Sequence, residues 1–282
     1  MSGATGRRVV SPQSGFTLRV LSTLAMIPLA LALVILGGWP FACLVGLAVV
    51  LMACEWRQLT EARFGGHGGI LAAASVAGLG LLVVLLAASG WPFEALLALL
   101  AGTVIAALVA SRAGAPPLWI GLGAAYLALP ALALIWLRNL PQVGLLLVVW
   151  LLVVVWTTDI LAYVVGRNVG GPRLAPRISP GKTWSGLCGG VLAAALASAV
   201  TAWAIGSERL VHAAGLGGLL AIVSQIGDLI ESTFKRRAGV KDSGTLIPGH
   251  GGVLDRLDGL ILAAPLLALL GLAFGPRIVP WP

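Results

Sequence analysis

Long apolar segments recur along this chain, and they decide what it can fold into. Nine can be drawn, at roughly 17–36, 39–54, 69–89, 92–111, 117–137, 143–165, 186–206, 210–230 and 253–275. A helix of about 20 apolar residues spans the hydrocarbon core of a bilayer, and these segments lack the alternating pattern of barrel strands. We therefore predict an all-α polytopic integral membrane protein with about nine transmembrane helices.

The composition argues against a soluble protein. Hydrophobic residues make up 59% of the 282 residues and charged residues only 10%, whereas soluble domains are about a quarter charged. The net charge of +8 does not indicate nucleic-acid binding, because the basic residues fall between apolar segments and not on one soluble face. The predicted partner is a lipid bilayer, with no nucleic acid.

The distribution of basic residues predicts the orientation in the membrane. With the N-terminus in the cytoplasm, 15 of the 18 Lys and Arg residues lie on the cytoplasmic side, as the positive-inside rule requires. Two polar loops, 166–185 and 231–252, then face the cytoplasm, where soluble nucleotides are found. We expect residues 1–140 to form a transmembrane scaffold of about five spans and residues 141–282 to form the catalytic region.

Two carboxylate pairs stand at the edges of the last two apolar segments. Asp228 and Glu231 are three residues apart, as are Asp255 and Asp258, so each pair shares a helix face. A carboxylate inside a membrane span is costly and indicates function. If the pairs converge, Asp228, Asp255 and Asp258 form an oxygen site suited to Mg²⁺. Pairing of Asp228 with a loop arginine, and a role of the other two in complementing a helix dipole, remain open.

A glycine-rich turn, Pro248-Gly249-His250-Gly251-Gly252, directly precedes the second pair. Glycines allow backbone N–H groups to approach a phosphate, and the N-terminus of the following helix favours an anion. His250 could contact a phosphate or move a proton, and it could equally be a bystander in a simple turn.

The polar loop 166–185 is basic, with cations at Arg167, Arg173, Arg177 and Lys182. Such cations can clamp a phosphate group, although a loop on the cytoplasmic side is expected to be basic in any case. The loop imitates a P-loop but has Pro176 where the first glycine is required. Asp159, Tyr163 and Arg167 follow one face of the sixth segment, and Asp159 lies far enough inside it to need a cavity or a partner.

A gapless stretch of 27 positions carries a family resemblance. It reads Ser232-x-Phe234-Lys235-Arg236-x₄-Lys241-Asp242-x-Gly244-x₂-Ile247-Pro248-x-His250-Gly251-Gly252-Val253-x-Asp255-Arg256-Leu257-Asp258. This stretch resembles the signature of the phosphatidate cytidylyltransferase (CDP-diacylglycerol synthase) family. Further family-like stretches are Asp159-x₃-Tyr163-x₂-Gly166-Arg167, Ile178-Ser179-Pro180-x-Lys182-Thr183 and Gln225-x-Gly227-Asp228. The chain departs from the family at Arg173, Ser185 and Gly259, where Lys, Glu and Ser are usual.

The resemblance implies that the chain converts CTP and phosphatidate to CDP-diacylglycerol and pyrophosphate with Mg²⁺, and it leaves a second cation open. It also implies a bacterial inner-membrane protein, with a homodimer as one arrangement. The catalytic residues that it implies are Asp228, Lys241, His250, Asp255, Arg256 and Asp258, with the three aspartates holding the metal. The substrate-binding residues that it implies are Asp159, Tyr163, Arg167, Ser179, Lys182, Thr183, Lys235, Arg236, Asp242, Gly249, Gly251 and Gly252.

Other functions remain open on the residues alone. An ion-coupled transporter would also use the intramembrane carboxylates Asp159 and Asp228. The clustering of carboxylates at one membrane face, beside a basic glycine-rich loop, favours an enzyme. A related enzyme acting on another lipid phosphate or with another nucleotide fits the same residues, whereas a non-enzymatic scaffold leaves the carboxylates without a role.

The predicted orientation can be tested with topology reporters. Reporters inserted into 166–185 and 231–252 should both give a cytoplasmic signal, because six and eight spans, both even numbers, separate these loops from the cytoplasmic N-terminus. An external signal from either loop contradicts the nine-span arrangement.

Overall fold

A computed structural model describes residues 26–244, 246 and 251–275, and this part of the chain forms nine helices and one hairpin. The helices are α1 (Met26–Leu36), α2 (Gly38–Phe64), α3 (His67–Ala88), α4 (Pro92–Arg112), α5 (Pro117–Arg138), α6 (Gly144–Val169), α7 (Trp184–Ala204), α8 (Leu210–Arg237) and α9 (Leu254–Phe274). The strands are β1 (Arg173–Ala175) and β2 (Ser179–Thr183). Helices α2 to α9 are all long and apolar enough to cross a membrane, which confirms the predicted fold class.

The ends of two helices differ from the sequence prediction, and the start of the first predicted span lies outside the described residues. The first predicted span, 17–36, is described only from Met26, so its length stays a prediction. Helix α2 runs to Phe64, ten residues beyond the predicted end at 54. One face of this extension is buried, with Trp56, Leu59 and Thr60, and its exposed face carries an Arg57–Glu61 ion pair at 2.8 Å. Residues 231–237, assigned to a polar loop, continue α8, whose last turn carries cations that complement the helix dipole.

Glycines bring α6 and α7 into close contact. A Cβ atom at Gly190 would lie 2.8 Å from the Thr158 carbonyl oxygen, and one at Gly186 would lie 2.6 Å from the Ala162 carbonyl oxygen. Helix association in membranes relies on such small residues, since lipid provides no hydrophobic driving force between helices. On α8, a Cβ atom at Gly227 would lie 2.6 Å from the Asp258 carbonyl oxygen of α9. The carboxylate-bearing helices α8 and α9 are therefore held backbone to backbone.

The polar loop 166–185 folds into an antiparallel hairpin of β1 and β2, which the sequence analysis did not predict. Thr183 ends β2 and begins α7, because its side chain accepts the Gly186 N–H at 3.1 Å. The Arg236 side chain at the end of α8 donates to the Ile178 carbonyl at 3.1 Å. The hairpin is thus anchored to both α7 and α8.

An aromatic cluster joins the first half of the chain to α8. Its members are Trp56 of α2, Trp119 and Tyr126 of α5, and Phe234 of α8. The Phe234 ring centroid lies 5.2 Å from that of Trp56, 5.5 Å from that of Trp119 and 5.3 Å from that of Tyr126, all edge-on. Helices α2 and α5 therefore pack against the last turns of α8, next to its polar end.

The close contact between α6 and α7 predicts different effects of two Gly→Ala substitutions. Gly190→Ala should lower the free energy of unfolding by about 1–3 kcal/mol, because the new methyl group forces α6 and α7 apart. Gly215→Ala should be neutral or slightly stabilising, because a Cβ there meets nothing within 4 Å. Thermal unfolding of both variants in one detergent checks this, and equal effects of the two variants would contradict it.

Candidate active site

A cavity of about 570 Å³ lies at one end of the helix bundle, where the hairpin meets α6, α8 and α9. The predicted site residues that line it are Asp159, Tyr163, Arg167, Ser179, Lys182, Thr183, Asp228, Asp255, Arg256 and Asp258. They come from four separate stretches of sequence, so the fold gathers most of the predicted residues into one place.

Three carboxylates form a cluster in this site. One oxygen from each of Asp228, Glu231 and Asp258 lies within 4.8 Å of the others. Glu231 is fully buried, and its Oε1 atom has no hydrogen-bond partner among the described residues. Carboxylates this close repel one another in a low-dielectric environment, and hard oxygen donors suit a divalent cation. The donor set therefore fits Mg²⁺, and it includes Glu231, which the sequence analysis did not name as a ligand.

Asp255 has different partners. Its Oδ1 lies 2.7 Å from Lys235 Nζ, and its Oδ2 accepts the Gly252 N–H at 3.0 Å and the Ser243 N–H at 3.2 Å. Lys235 Nζ also lies 2.6 Å from Glu231 Oε2. Lys235 thus bridges two carboxylates, and Asp255 anchors the segment before α9. The assignments of Asp255 to a metal and of Lys235 to a phosphate stay predictions.

The hairpin places a cation opposite the carboxylate cluster. Lys182 Nζ, from β2, lies 2.6 Å from Asp228 Oδ2. Deeper on α6, Asp159 Oδ1 accepts a hydrogen bond from Gln225 Nε2 at 3.0 Å, which gives this intramembrane carboxylate the partner that its position requires. Arg167 donates to the Tyr163 hydroxyl at 2.8 Å. The cavity therefore combines acidic and basic walls.

The other predicted site residues lie outside the cavity lining or outside the described residues. Lys241 and Asp242 are exposed, and Arg236 binds backbone carbonyls at Ile178 and Val240. The Gly252 N–H, which was expected to contact a phosphate, donates a hydrogen bond to Asp255. Gly251 has a positive φ of 86°, a backbone conformation that favours glycine. The predictions for Gly249 and His250 fall outside the described residues.

Two residues of the first half approach the site, and the sequence analysis assigned neither of them a role. Glu55 of α2 is fully buried and accepts hydrogen bonds from the N–H groups that begin α9. Tyr126 of α5 belongs to the aromatic cluster, and its buried hydroxyl has no hydrogen-bond partner among the described residues. The sequence did contain a signal for Glu55, which is a carboxylate next to a long apolar segment. Because Glu55 directly follows the predicted span 39–54, it was interpreted as marking the end of that span.

The carboxylate cluster predicts divalent-cation binding that does not depend on turnover. Asp258→Asn should weaken binding of Mn²⁺, used as a paramagnetic probe for Mg²⁺, by more than about tenfold, because it removes one charged ligand. Glu94→Gln, an exposed carboxylate at the start of α4, is the matched control and should bind as the wild type does. Equal affinities of the two variants in an EPR titration would exclude this cluster as the cation site.

Comparison with known proteins shows the family of this chain. The model of the Cytidylyltransferase family matches residues 17–274. A phosphatidate cytidylyltransferase from Brucella suis is 40% identical over 272 residues, which cover 95% of this chain and 97% of the relative. Proteins of the same name are 39% identical in Pseudomonas aeruginosa (91% and 97% covered) and 34% identical in Synechocystis (89% and 94% covered). This chain therefore belongs to the cytidylyltransferase family.

Proposed function

We propose that this protein transfers a cytidylyl group from CTP to phosphatidate, giving CDP-diacylglycerol and pyrophosphate in phospholipid biosynthesis. The proposal is carried by one observation: carboxylates of α8 and α9 and the basic hairpin line the same cavity, where Lys182 pairs with Asp228. The relatives named phosphatidate cytidylyltransferase, which align with nearly the whole chain, support the same reaction.

Asp228, Glu231 and Asp258 would hold the Mg²⁺ ion, since their oxygens lie together. When bound, the ion would supply Lewis acidity and neutralise charge on the phosphates. Asp255 would act beside this cluster by holding Lys235, which in turn faces Glu231. The assignment of Asp255 to the metal, made from the sequence, stays a prediction.

The basic residues of the cavity would bind and orient the phosphates. Lys182, Arg167 and Arg256 line the same cavity as the carboxylates. A phosphate oxygen of phosphatidate would attack the α-phosphorus of CTP, a new P–O bond would form, and the bond to the β-phosphate would break with release of pyrophosphate. No protein nucleophile is needed, so the side chains contribute mainly by positioning and by charge neutralisation.

The position of the cavity suits one soluble and one lipid substrate. It lies at the ends of α6, α8 and α9, where a lipid phosphate sits at headgroup level. Tyr163, 63% exposed on α6, and Leu174 of β1 border it, which would leave a lateral opening for acyl chains. The basic side of the protein would face the cytoplasm of a bacterial inner membrane, from which CTP arrives. The homodimer implied by the resemblance stays a prediction.

An assay with phosphatidate, Mg²⁺ and radiolabelled CTP tests the reaction. Wild-type protein in detergent should give a labelled lipid and release pyrophosphate, and a chelator should stop turnover until Mg²⁺ is restored. Asp258→Asn should lower turnover by at least about 100-fold, because one charged ligand of the proposed Mg²⁺ site is lost.

Glu94→Gln is the control and should keep wild-type turnover. Absence of labelled lipid from folded wild-type protein would overturn the proposed reaction. Substrate flux into vesicles without CTP would instead favour the transporter.

A further inference from the structure

Glu55 lies in the half of the chain that the sequence analysis treated as scaffold, yet its contacts lead to the active site. The side chain is fully buried on α2 and does not line the cavity. We infer that Glu55 is a positioning residue, which fixes the start of α9 and thereby the places of Asp255 and Asp258. The effect of Glu55 on turnover that we infer rests on the proposed function.

The hydrogen bonds of Glu55 cap α9 from another helix. Its Oε1 accepts the Val253 N–H at 2.7 Å, and its Oε2 accepts the Leu254 N–H at 2.7 Å. The first N–H groups of a helix have no acceptor within it, and Val253 has no side chain that could cap it. A carboxylate at this end is also favoured by the helix dipole and by charge-assisted hydrogen bonds. Glu55 therefore sets where α9 begins.

Two glycines of the preceding segment leave space for this carboxylate. A Cβ atom at Gly252 would lie 2.9 Å from both carboxylate oxygens of Glu55. A Cβ atom at Gly244 would lie 3.0 Å from Glu55 Cγ and 3.2 Å from its Oε1. At Gly252 a Cβ would also meet Ser243 Oγ, so a side chain there would displace both neighbours, and at Gly244 it would press on Glu55. Glycine at these two positions therefore leaves room for the Glu55 carboxylate. The glycine-rich character of the segment thus has a reason inside the protein, separate from any phosphate.

Ser243 connects Glu55 to Asp255. The Ser243 hydroxyl donates to Glu55 Oε2 at 3.0 Å, while the Ser243 N–H approaches both Asp255 oxygens, at 3.2 and 3.3 Å. Asp255 in turn binds Lys235, which faces Glu231 of the carboxylate cluster. A displacement of this segment would therefore move Asp255 and disturb the ion pairs beside the cluster.

The neighbour of Glu55 holds α2 against α8. Trp56 is fully buried and its ring lies 5.2 Å from that of Phe234, the residue before Lys235. Glu55 and Trp56 are consecutive, so a single turn of α2 contacts both carboxylate-bearing helices. This turn fixes the start of α9 relative to the end of α8, which is the relation on which the cluster of Asp228, Glu231 and Asp258 depends.

The variant Glu55→Gln tests this role. Glutamine keeps the shape and one oxygen but places an NH₂ group against an N–H donor, so one capping bond is lost. We expect kcat per folded molecule to fall by about tenfold to 100-fold, as small displacements of catalytic groups do, with KM for CTP within about twofold. Glu61→Gln, a partly exposed carboxylate on the same helix, is the matched control and should keep wild-type kinetics.

A purely structural role predicts a different result. It would lower the melting temperature and the folded fraction while leaving kcat per folded molecule unchanged, and that outcome overturns the inference. Ser243→Ala removes only the serine hydroxyl and keeps the Glu55 carboxylate with its hydrogen bonds to the Val253 and Leu254 N–H groups, so this variant should fold. It should lower kcat by about threefold to tenfold, the effect of one hydrogen bond, and wild-type kcat in this variant would also contradict the inference.

Hydrogen–deuterium exchange separates this inference from the proposed reaction. Amides of the segment 251–256 should exchange faster in Glu55→Gln than in wild type or Glu61→Gln, whatever the substrate is. If wild-type protein does not transfer label from CTP, the proposed reaction fails while faster exchange still supports the positioning role. Unchanged exchange in 251–256 overturns the positioning role even if the reaction is correct.

Discussion

The cost of placing carboxylates among apolar helices governs the architecture of this protein. An uncompensated charge in a low-dielectric interior is strongly unfavourable, so each buried carboxylate needs a cation, N–H donors or a bound ion. Glu55 has hydrogen-bond donors from the start of α9, and Asp255 has Lys235 and backbone N–H groups. Asp228, Glu231 and Asp258 bring three carboxylates together beside two lysines, Lys182 and Lys235, and this excess of negative charge fits a cation.

This requirement gives the first half of the chain a larger part than its composition suggests. Helix α2 supplies the cap of α9 through Glu55, and the aromatic cluster attaches α2 and α5 to the end of α8. The catalytic region predicted at 141–282 therefore depends on helices outside it. Helices α8 and α9 pack directly on each other at Gly227, and α2 contacts both of them.

Much of the site was predictable from local spacing. Pairs three residues apart share a helix face in any α-helix, so Asp228 with Glu231 and Asp255 with Asp258 could be recognised without a structure. The grouping of Asp228, Glu231 and Asp258 was not predictable, because Asp255 and Asp258 share a face and only the packing of α8 on α9 brings Asp258 to the cluster. The hairpin was missed because Lys182 belongs to a short strand within a loop rich in glycine and proline, which carries no clear periodic signal.

The sequence by itself determined the membrane class, most of the spans and the types of group in the site. The lengths of the apolar segments and the positions of the charged residues can be read directly along the chain. It also carried the family resemblance. Only the tertiary structure decided that α2 extends to Phe64, that Glu55 caps α9 and that Lys182 meets Asp228. The Lys182–Asp228 and Glu55–Leu254 contacts join residues that are 46 and 199 positions apart in the sequence. Such contacts depend on how the helices pack, which no local sequence pattern encodes.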